Sequence, residues 1–255
     1  MTDGPAFGWA LGAALVVLLS IALLAARWGR LSLTRDLFVA ACRAIVQLIA
    51  VSAVIGLMLQ RIWTSLVFAA LMFSVAVWTA GGRIRARGDW RWVAVAIGTG
   101  AVPVLAVIFA FGAAAFTGPA IIPIAGIVIG GSMTAHALVC RRAFDSLRSE
   151  FGQVEAGLAL GFRRRWSIDN VINRHAPEAL VPVLDQTRTV GLVTLPGAFV
   201  GVLLGGGSAA DAAATQVLVL VGLLAAETMV VVVSTWLIAD GRILSADLRD
   251  RLPTA

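Results

Sequence analysis

Residues 120–140 read AIIPIAGIVIGGSMTAHALVC, a run without an Asp, Glu or Arg that ends directly on Arg141 and Arg142. About 20 consecutive apolar residues cross the hydrocarbon core of a bilayer as a helix. This run therefore reads as a membrane span whose far end is marked by positive charge. Working outward, six more runs have the same character, at about 7–26, 37–59, 62–80, 92–116, 189–206 and 213–238. The run at 189–206 is glycine-rich and carries Pro196. The first run lacks a basic leading segment and is longer than a typical signal core, so it reads as a span rather than a cleaved peptide. The reading is an all-α polytopic membrane protein of about seven spans, forming a single permease-like domain over residues 1–255.

The arginines test this reading. Of 20, Arg27, Arg30 and Arg35 lie between spans one and two, and Arg83, Arg85, Arg87 and Arg91 between three and four. Eight lie between five and six, from Arg141 to Arg188, and Arg242, Arg249 and Arg251 lie in the tail. Eighteen therefore share one side, with Arg61 opposite and Arg43 within a span. The positive-inside rule makes that side cytoplasmic, with the N-terminus outside and the C-terminus inside. The outer connections are short, so no extracellular domain is expected. The sizeable soluble element is the loop at about 141–188.

Composition narrows the function classes. Of 255 residues, 60% are hydrophobic and 13% charged, against about 45–50% and 25% in soluble domains. There is no lysine, which excludes a Walker A lysine and Schiff-base catalysis in this chain. Any ATP-driven process must use an ATPase on another polypeptide. The net charge of +6 is sorted by membrane side rather than gathered on a basic soluble face, so nucleic acid is not an expected partner. Cys42 and Cys140 lie in or beside apolar runs and form no disulfide or zinc pattern.

In the cytoplasmic loop Phe144, Leu147, Phe151, Val154 and Leu158 recur at helical spacing. Gly161 interrupts the pattern, Arg163-Arg164-Arg165-Trp166 follow, and a second helical segment is expected from about 167 to 175. Two short helices around a glycine form a docking elbow for a protein partner. The alternative is that the stripe lies on the bilayer and the arginines anchor it to anionic lipid.

Glu155-Ala156-Gly157, with Gly161 six residues after the glutamate, resembles the EAA-xxx-G loop of ABC transporter permeases. The stretch from Pro123 through Gly126 and Gly130 to Gly131-Ser132-Met133-Thr134-Ala135 resembles the P-x-x-G-x-x-x-G-N-S-M-T-A signature of FetB-type ABC permeases. That family comprises bacterial iron exporters and related plant aluminium-tolerance permeases. Arg43 to Leu48 is similar to its R-xxx-QL, Glu155 to Gly161 to its E-x-x-L-A-L-G, and Val190 to Gly197 to its V-G-L-V-x-L-P-G, followed by Gly201, Gly205 and Gln216. The resemblance runs in order from Arg43 to Gln216. Two departures stand out: Gly131 replaces an asparagine, and Ala198-Phe199-Val200 replaces Met-Met-Thr. The resemblance implies a permease subunit in the inner or plasma membrane, paired with a second copy and driven by a separate ABC ATPase that binds the ATP. It implies export, of iron or another metal cation, with Glu155, Ala156, Gly157 and Gly161 coupling to the ATPase.

Within the spans, Gly126 and Gly130, and Gly197, Gly201 and Gly205, recur every four residues and bare strips of backbone for close helix packing. Pro196 can kink the sixth span. Arg43 and Glu227 are charged residues well inside spans, where each needs a partner or a wet cavity. Either they pair, with Gln47 one turn from Arg43 completing the network, or Arg43 snorkels to the headgroups. For a cation, Glu227 is the natural oxygen ligand, Ser132 and Thr134 are weaker ones, and Met133 suits a softer ion. The metal ligands themselves stay unassigned, and no cofactor is expected in this chain. Rival readings are an ATP-independent secondary transporter or channel, and an ABC permease for a nucleotide sugar. A membrane-embedded enzyme lacks the constellation of acids and histidines it needs.

Overall fold

The computed structural model describes residues 8–252. Every long element among them is a helix. Six helices are long and apolar enough to cross a membrane: α1 (Trp9–Trp28), α2 (Thr34–Met58), α3 (Ile62–Arg83), α4 (Trp90–Ala110), α5 (Gly118–Ser149) and, later, α10 (Ala209–Ala239). Between α5 and α10 lie α6 (Phe151–Ala159), α7 (Arg164–Ile172), a 3-10 turn (Ala176–Leu180), α8 (Val181–Thr189) and α9 (Gly197–Leu204); α11 (Ala246–Arg251) follows α10. The chain is a multi-pass membrane protein. Residue 7, the expected start of the first span, lies outside the described residues.

The described residues form two units, 8–58 and 59–252. In the first, α1 packs on α2 and the helices are joined by a turn in which Arg30 and Ser32 take positive φ. Both helices expose their apolar side chains, from Val16 and Leu24 on α1 to Leu48 and Ile49 on α2. Exposure of this kind suits lipid, which is as apolar as leucine.

The second unit is a bundle of α3, α4, α5 and α10, and its close approaches fix the helix directions. A Cβ on Gly118 would meet Ser65, and one on Gly126 would meet Met72, so α3 and α5 run parallel. Gly131 lies against Leu223 and Glu227, His136 bonds Ser234, and Arg148 bonds Asp247 just beyond α10. Partners on α10 thus advance with α5, and these two helices are also parallel. α4 runs the other way: Gly100 faces Ala226 and Val230, whereas Val104 and Ile108 reach Gly222.

Two parallel helices in one chain require a return between them. The expected sixth span, 189–206, supplies it only in pieces. α8 ends at Thr189, Gly191 turns at a φ of +79° with its N–H donating to the Thr194 carbonyl at 2.9 Å, and α9 is eight residues long. Pro196 explains the break. It has no N–H, and it pushes the residue before it out of the helical region. The return is nonetheless complete. Arg142 pairs with Glu178 at 3.0 Å at the arginine-rich end, while Gln186 and Pro196 reach the end that holds Thr117 and Thr215. α10 then restarts cleanly, because Ser208 Oγ accepts from the Asp211 N–H and the Asp211 carboxylate accepts from the Ser208 N–H.

α5 continues past the expected span end at residue 140 to Ser149, carrying the start of the loop as helix. The amphipathic stripe is real but split between α5 and α6 by Glu150. It packs on the protein rather than lying on lipid. Phe144, Leu147 and Val154 join Ile168, Ile172, Ile238, Ile243 and Leu248 in one buried cluster. Outside the bilayer such burial carries the full hydrophobic driving force, about 1.5–3 kcal/mol per large side chain. Deeper in the bundle, where lipid removes that force, the contacts are made by small residues such as Ala96, Ala101, Ala125 and Ala226.

Candidate permeation site and coupling elbow

Four bonds from Arg148, one of them to Ser245 Oγ at 3.1 Å, organise the arginine-rich end. Its fork donates to Asp247 at 2.8 and 3.1 Å and to Asp145 at 3.0 Å, and the Arg148 hydrogen bond holds the Asp247 carboxyl well below the usual range. Asp89, in the turn before α4, accepts from Arg249 at 2.6 Å. Arg242 lies 4.3 Å over the Trp92 ring, and Arg165 lies 5.2 Å over Trp236. α5, α7, α10 and α11 are thereby tied into one block.

The elbow of α6 and α7 projects from this block. Gly161, at a φ of +84°, makes the turn between them in a conformation that favours glycine. Gly157 allows the two helices to close: a Cβ there would lie 2.6 Å from Ser167 Oγ. Ile168, Val171 and Ile172 root α7 in the buried cluster. Glu155 and Ala156 are exposed on α6, and Leu160, Phe162 and Trp166 form an exposed apolar tip in which the two rings stack at 4.2 Å.

At the opposite end of the bundle is a cavity of about 880 Å³ between α5, α9 and α10. Its walls are mostly apolar, with Thr117, Gln186, Thr215 and Gln216 as the polar side chains. Gln216 is buried and its Oε1 accepts from the Phe199 N–H at 3.3 Å, capping the start of α9 where it faces the cavity. Leu223 is the lining residue furthest along α10 from the cavity's Thr215 end, and is taken as its floor. Glu227 follows one turn further along α10, about 6 Å at 1.5 Å per residue.

Glu227 is 8% exposed and makes no hydrogen bond or ion pair with any described residue. Its carboxylate rests on the bare backbone of Gly131, where a Cβ would lie 2.7 Å from Oε1. On the next position of α5, Ser132 is fully buried and its Oγ has no hydrogen-bond partner among the described residues. Met133 packs among the core side chains, and Thr134 donates its hydroxyl to the Gly130 carbonyl at 3.0 Å. Two turns below Glu227, His136 Nδ1 and Ser234 Oγ are hydrogen-bonded at 2.8 Å in full burial. No cluster of three or more His, Cys, Asp or Glu capable of holding a metal occurs among the described residues. Arg43 and Gln47 lie exposed on α2 in the first unit.

The glycines divide unequally. Gly126 is approached by the Met72 side chain, whereas Gly130, Gly197 and Gly201 have nothing within 4 Å of a notional Cβ, and Gly205 meets only its own turn. Gly197 and Gly201 instead line the cavity with Pro196. Another segment's backbone comes close at Gly100, against the Ala226 carbonyl, and at Gly118, against the Leu59 carbonyl, while Gly131 is met by the side-chain ends of Leu223 and Glu227; four-residue spacing picks out none of the three. Sequence reasoning also passed over Gln186, which sits in a polar run that reads as loop.

The chain matches the family described as "Uncharacterised protein family (UPF0014)" over residues 9–241. This chain belongs to the UPF0014 family. Among relatives of this UPF0014 chain, the UPF0014 membrane protein STAR2 of Oryza sativa subsp. japonica is 36% identical, over 82% of this chain and 74% of its own length. The Arabidopsis thaliana protein ALUMINUM SENSITIVE 3 is 34% identical over 88% and 83%. The Escherichia coli (strain K12) protein named "Probable iron export permease protein FetB" is 29% identical over 87% of each chain. No solved structure matches this UPF0014 chain.

Proposed function

We propose that this chain is the permease subunit of an ABC transporter, exporting a metal cation such as iron under the drive of a separate ATPase bound to the α6–α7 elbow. The observation that carries the proposal is Glu227, a buried carboxylate without a counter-charge among the described residues, placed one turn beyond the floor of an open cavity. A lone charge at membrane depth costs about 2.5–3.5 kcal/mol on insertion scales, and such residues mark ion pathways. The cavity supports a cation over a phosphorylated sugar, because its lining holds amides and hydroxyls and no arginine. A relative named for iron export supports the same cargo class.

In this reading the arginine-rich end is cytoplasmic and the cavity opens outward. ATP closes a pair of ATPases, and they press on the elbow of each of two permease copies. α7 is buried against the C-terminal end of α10, so displacement of the elbow shifts α10. Glu227 then moves relative to Gly131 and to the Leu223 floor, giving alternating access. The chain itself supplies a route and a lever, and ATP hydrolysis stays with the partner.

The test is ATPase stimulation of the reconstituted permease–ATPase complex across metals and sugar nucleotides. Ferrous iron is expected to stimulate, and Glu227→Gln to abolish that stimulation. Stimulation by a sugar nucleotide that survives Glu227→Gln would overturn the cargo assignment. Full-rate export by the permease without any ATPase would overturn the coupling.

A further inference from the structure

A second recess, of about 370 Å³, lies at the arginine-rich end between the C-terminal ends of α3 and α5. It is lined by Arg83, Arg85, Arg141, Arg148, Asp145 and Asp247, with Ile84 and Phe144 as its apolar base. Both carboxylates are already engaged: Asp247 takes two bonds from Arg148, and Asp145 takes one. Arg83, Arg85 and Arg141 make no ion pair with any described residue. The recess is therefore lined by three arginines without a carboxylate partner among the described residues, beside a fourth that shares two carboxylates, and its four arginines and two aspartates leave a net charge of +2.

The backbone at Arg85 sharpens this. α3 ends in a Schellman motif: the Ala86 N–H donates to the Gly81 carbonyl at 3.0 Å, and the Arg85 N–H to the Gly82 carbonyl at 3.3 Å. The motif puts its C′ residue in the left-handed region, usually as glycine. Here that residue is Arg85, with a φ of +55°. Ile84, 3% exposed, pins the turn into the core. A side chain with a Cβ is strained in this conformation, and no described carboxylate pairs with the guanidinium.

We propose that this recess binds a phosphate group, held by the guanidinium forks of Arg83, Arg85 and Arg141. Planar guanidinium groups match phosphate oxygens bidentately, and several converging on one small recess favour a compact, doubly accessible anion over an extended one. The site lies at the end of the spans, where the phosphate of an anionic lipid headgroup and free phosphate are both available. Neither the proposed cargo route nor the elbow enters this inference.

The experiment uses the purified full chain in detergent. Thermal unfolding is followed while phosphatidylglycerol, phosphatidylcholine or inorganic phosphate is titrated, with bound lipid counted by native mass spectrometry. Arg85→Gly relieves the left-handed strain, so its melting temperature without additive is expected to equal or exceed that of the wild type. Arg141→Gln is the second variant. Arg251→Gln, an arginine on α11 outside the recess, is the charge control. The expected result is saturable stabilisation by phosphatidylglycerol, weakened about tenfold in Arg85→Gly and Arg141→Gln, the scale of one lost charge-assisted bond, and unchanged in Arg251→Gln. Stabilisation by inorganic phosphate alone, lost in the same two variants, would keep the site and assign it to free phosphate. Equal weakening in Arg251→Gln, or stabilisation by phosphatidylglycerol or phosphate that does not differ between wild type and Arg85→Gly, would overturn the proposal.

Discussion

The carboxylate of Glu227 on α10 rests against the backbone of Gly131 on α5, and the same turn of α10 is met from the other side by Gly100 on α4. The two glycines act differently. A Cβ on Gly131 would meet the ends of flexible side chains, Leu223 Cδ2 at 2.5 Å and Glu227 Oε1 at 2.7 Å; a Cβ on Gly100 would meet the Ala226 carbonyl oxygen itself. Gly131→Ala is therefore expected to lower stability by within about 1 kcal/mol while displacing Glu227 and reducing metal stimulation. Gly100→Ala must force α4 from α10 and is expected to lose about 1–3 kcal/mol. Thermal unfolding beside the stimulated ATPase rate separates the two effects. Equal stability losses would contradict the geometry.

Leu223 stands between the cavity and Glu227. Leu223→Ala should join the two and raise the reaction of Glu227 with a carbodiimide applied from the cavity side several-fold. Its stability loss should fall near the about 2–5 kcal/mol of other buried leucine truncations. Labelling unchanged from wild type would show that Leu223 is not the barrier.

On the elbow, Gly161→Ala places a side chain at a φ of +84° and is expected to cost about 1 kcal/mol. Glu155 is exposed on α6 and enters no ion pair with a described residue. Glu155→Ala should leave the melting temperature of the isolated permease within experimental error and weaken co-purification of the ATPase. A clear drop in melting temperature with intact co-purification would reverse that assignment.

His175 gives a pH signature to the elbow's anchor. Its Nδ1 lies 3.2 Å from Glu178 and its Nε2 3.3 Å from Glu150, and these bonds, Glu178 first, raise its pKa above the ordinary value. A raised folded-state pKa means that the contribution is fully present below the unfolded value, about 6.5, and is lost as pH rises through the folded one. The melting temperature of wild type should exceed that of His175→Gln at about pH 6, and the gap should close on the alkaline side. A gap that widens with pH would refute the sign.

Membrane class, helical character and the positions of six long helices were legible in the sequence because bilayer thickness and the arginine distribution are read directly from residue order. The helix pair around Gly161 was legible for a similar reason: apolar spacing and a breaker sit side by side. The sixth run shows the limit. Hydropathy averages over Gly191, Pro196 and Gly205 and sees a continuous apolar segment, whereas the backbone breaks at each. Glycine spacing had the same weakness. Gly197 and Gly201 bare a strip of α9, but only tertiary placement decides that the strip faces a cavity, and Gly131, with no partner at four-residue spacing, makes the closest approach to Glu227. Gln186 was hidden because Asp185, Thr187 and Arg188 around it read as loop.

The broken return leg has a consequence for divergence among relatives. Residues 195–204 form much of one cavity wall, yet the connection between elbow and α10 runs through α7 and the buried cluster. Under the proposed function, selectivity and drive would thus be written on separate stretches of chain. Ala198-Phe199-Val200, the segment where this sequence departs from the signature it otherwise resembles, lies on α9, and Ala198 lines the cavity; under the proposed function, a lineage would exchange its cargo by editing a few positions there without rebuilding the transmission.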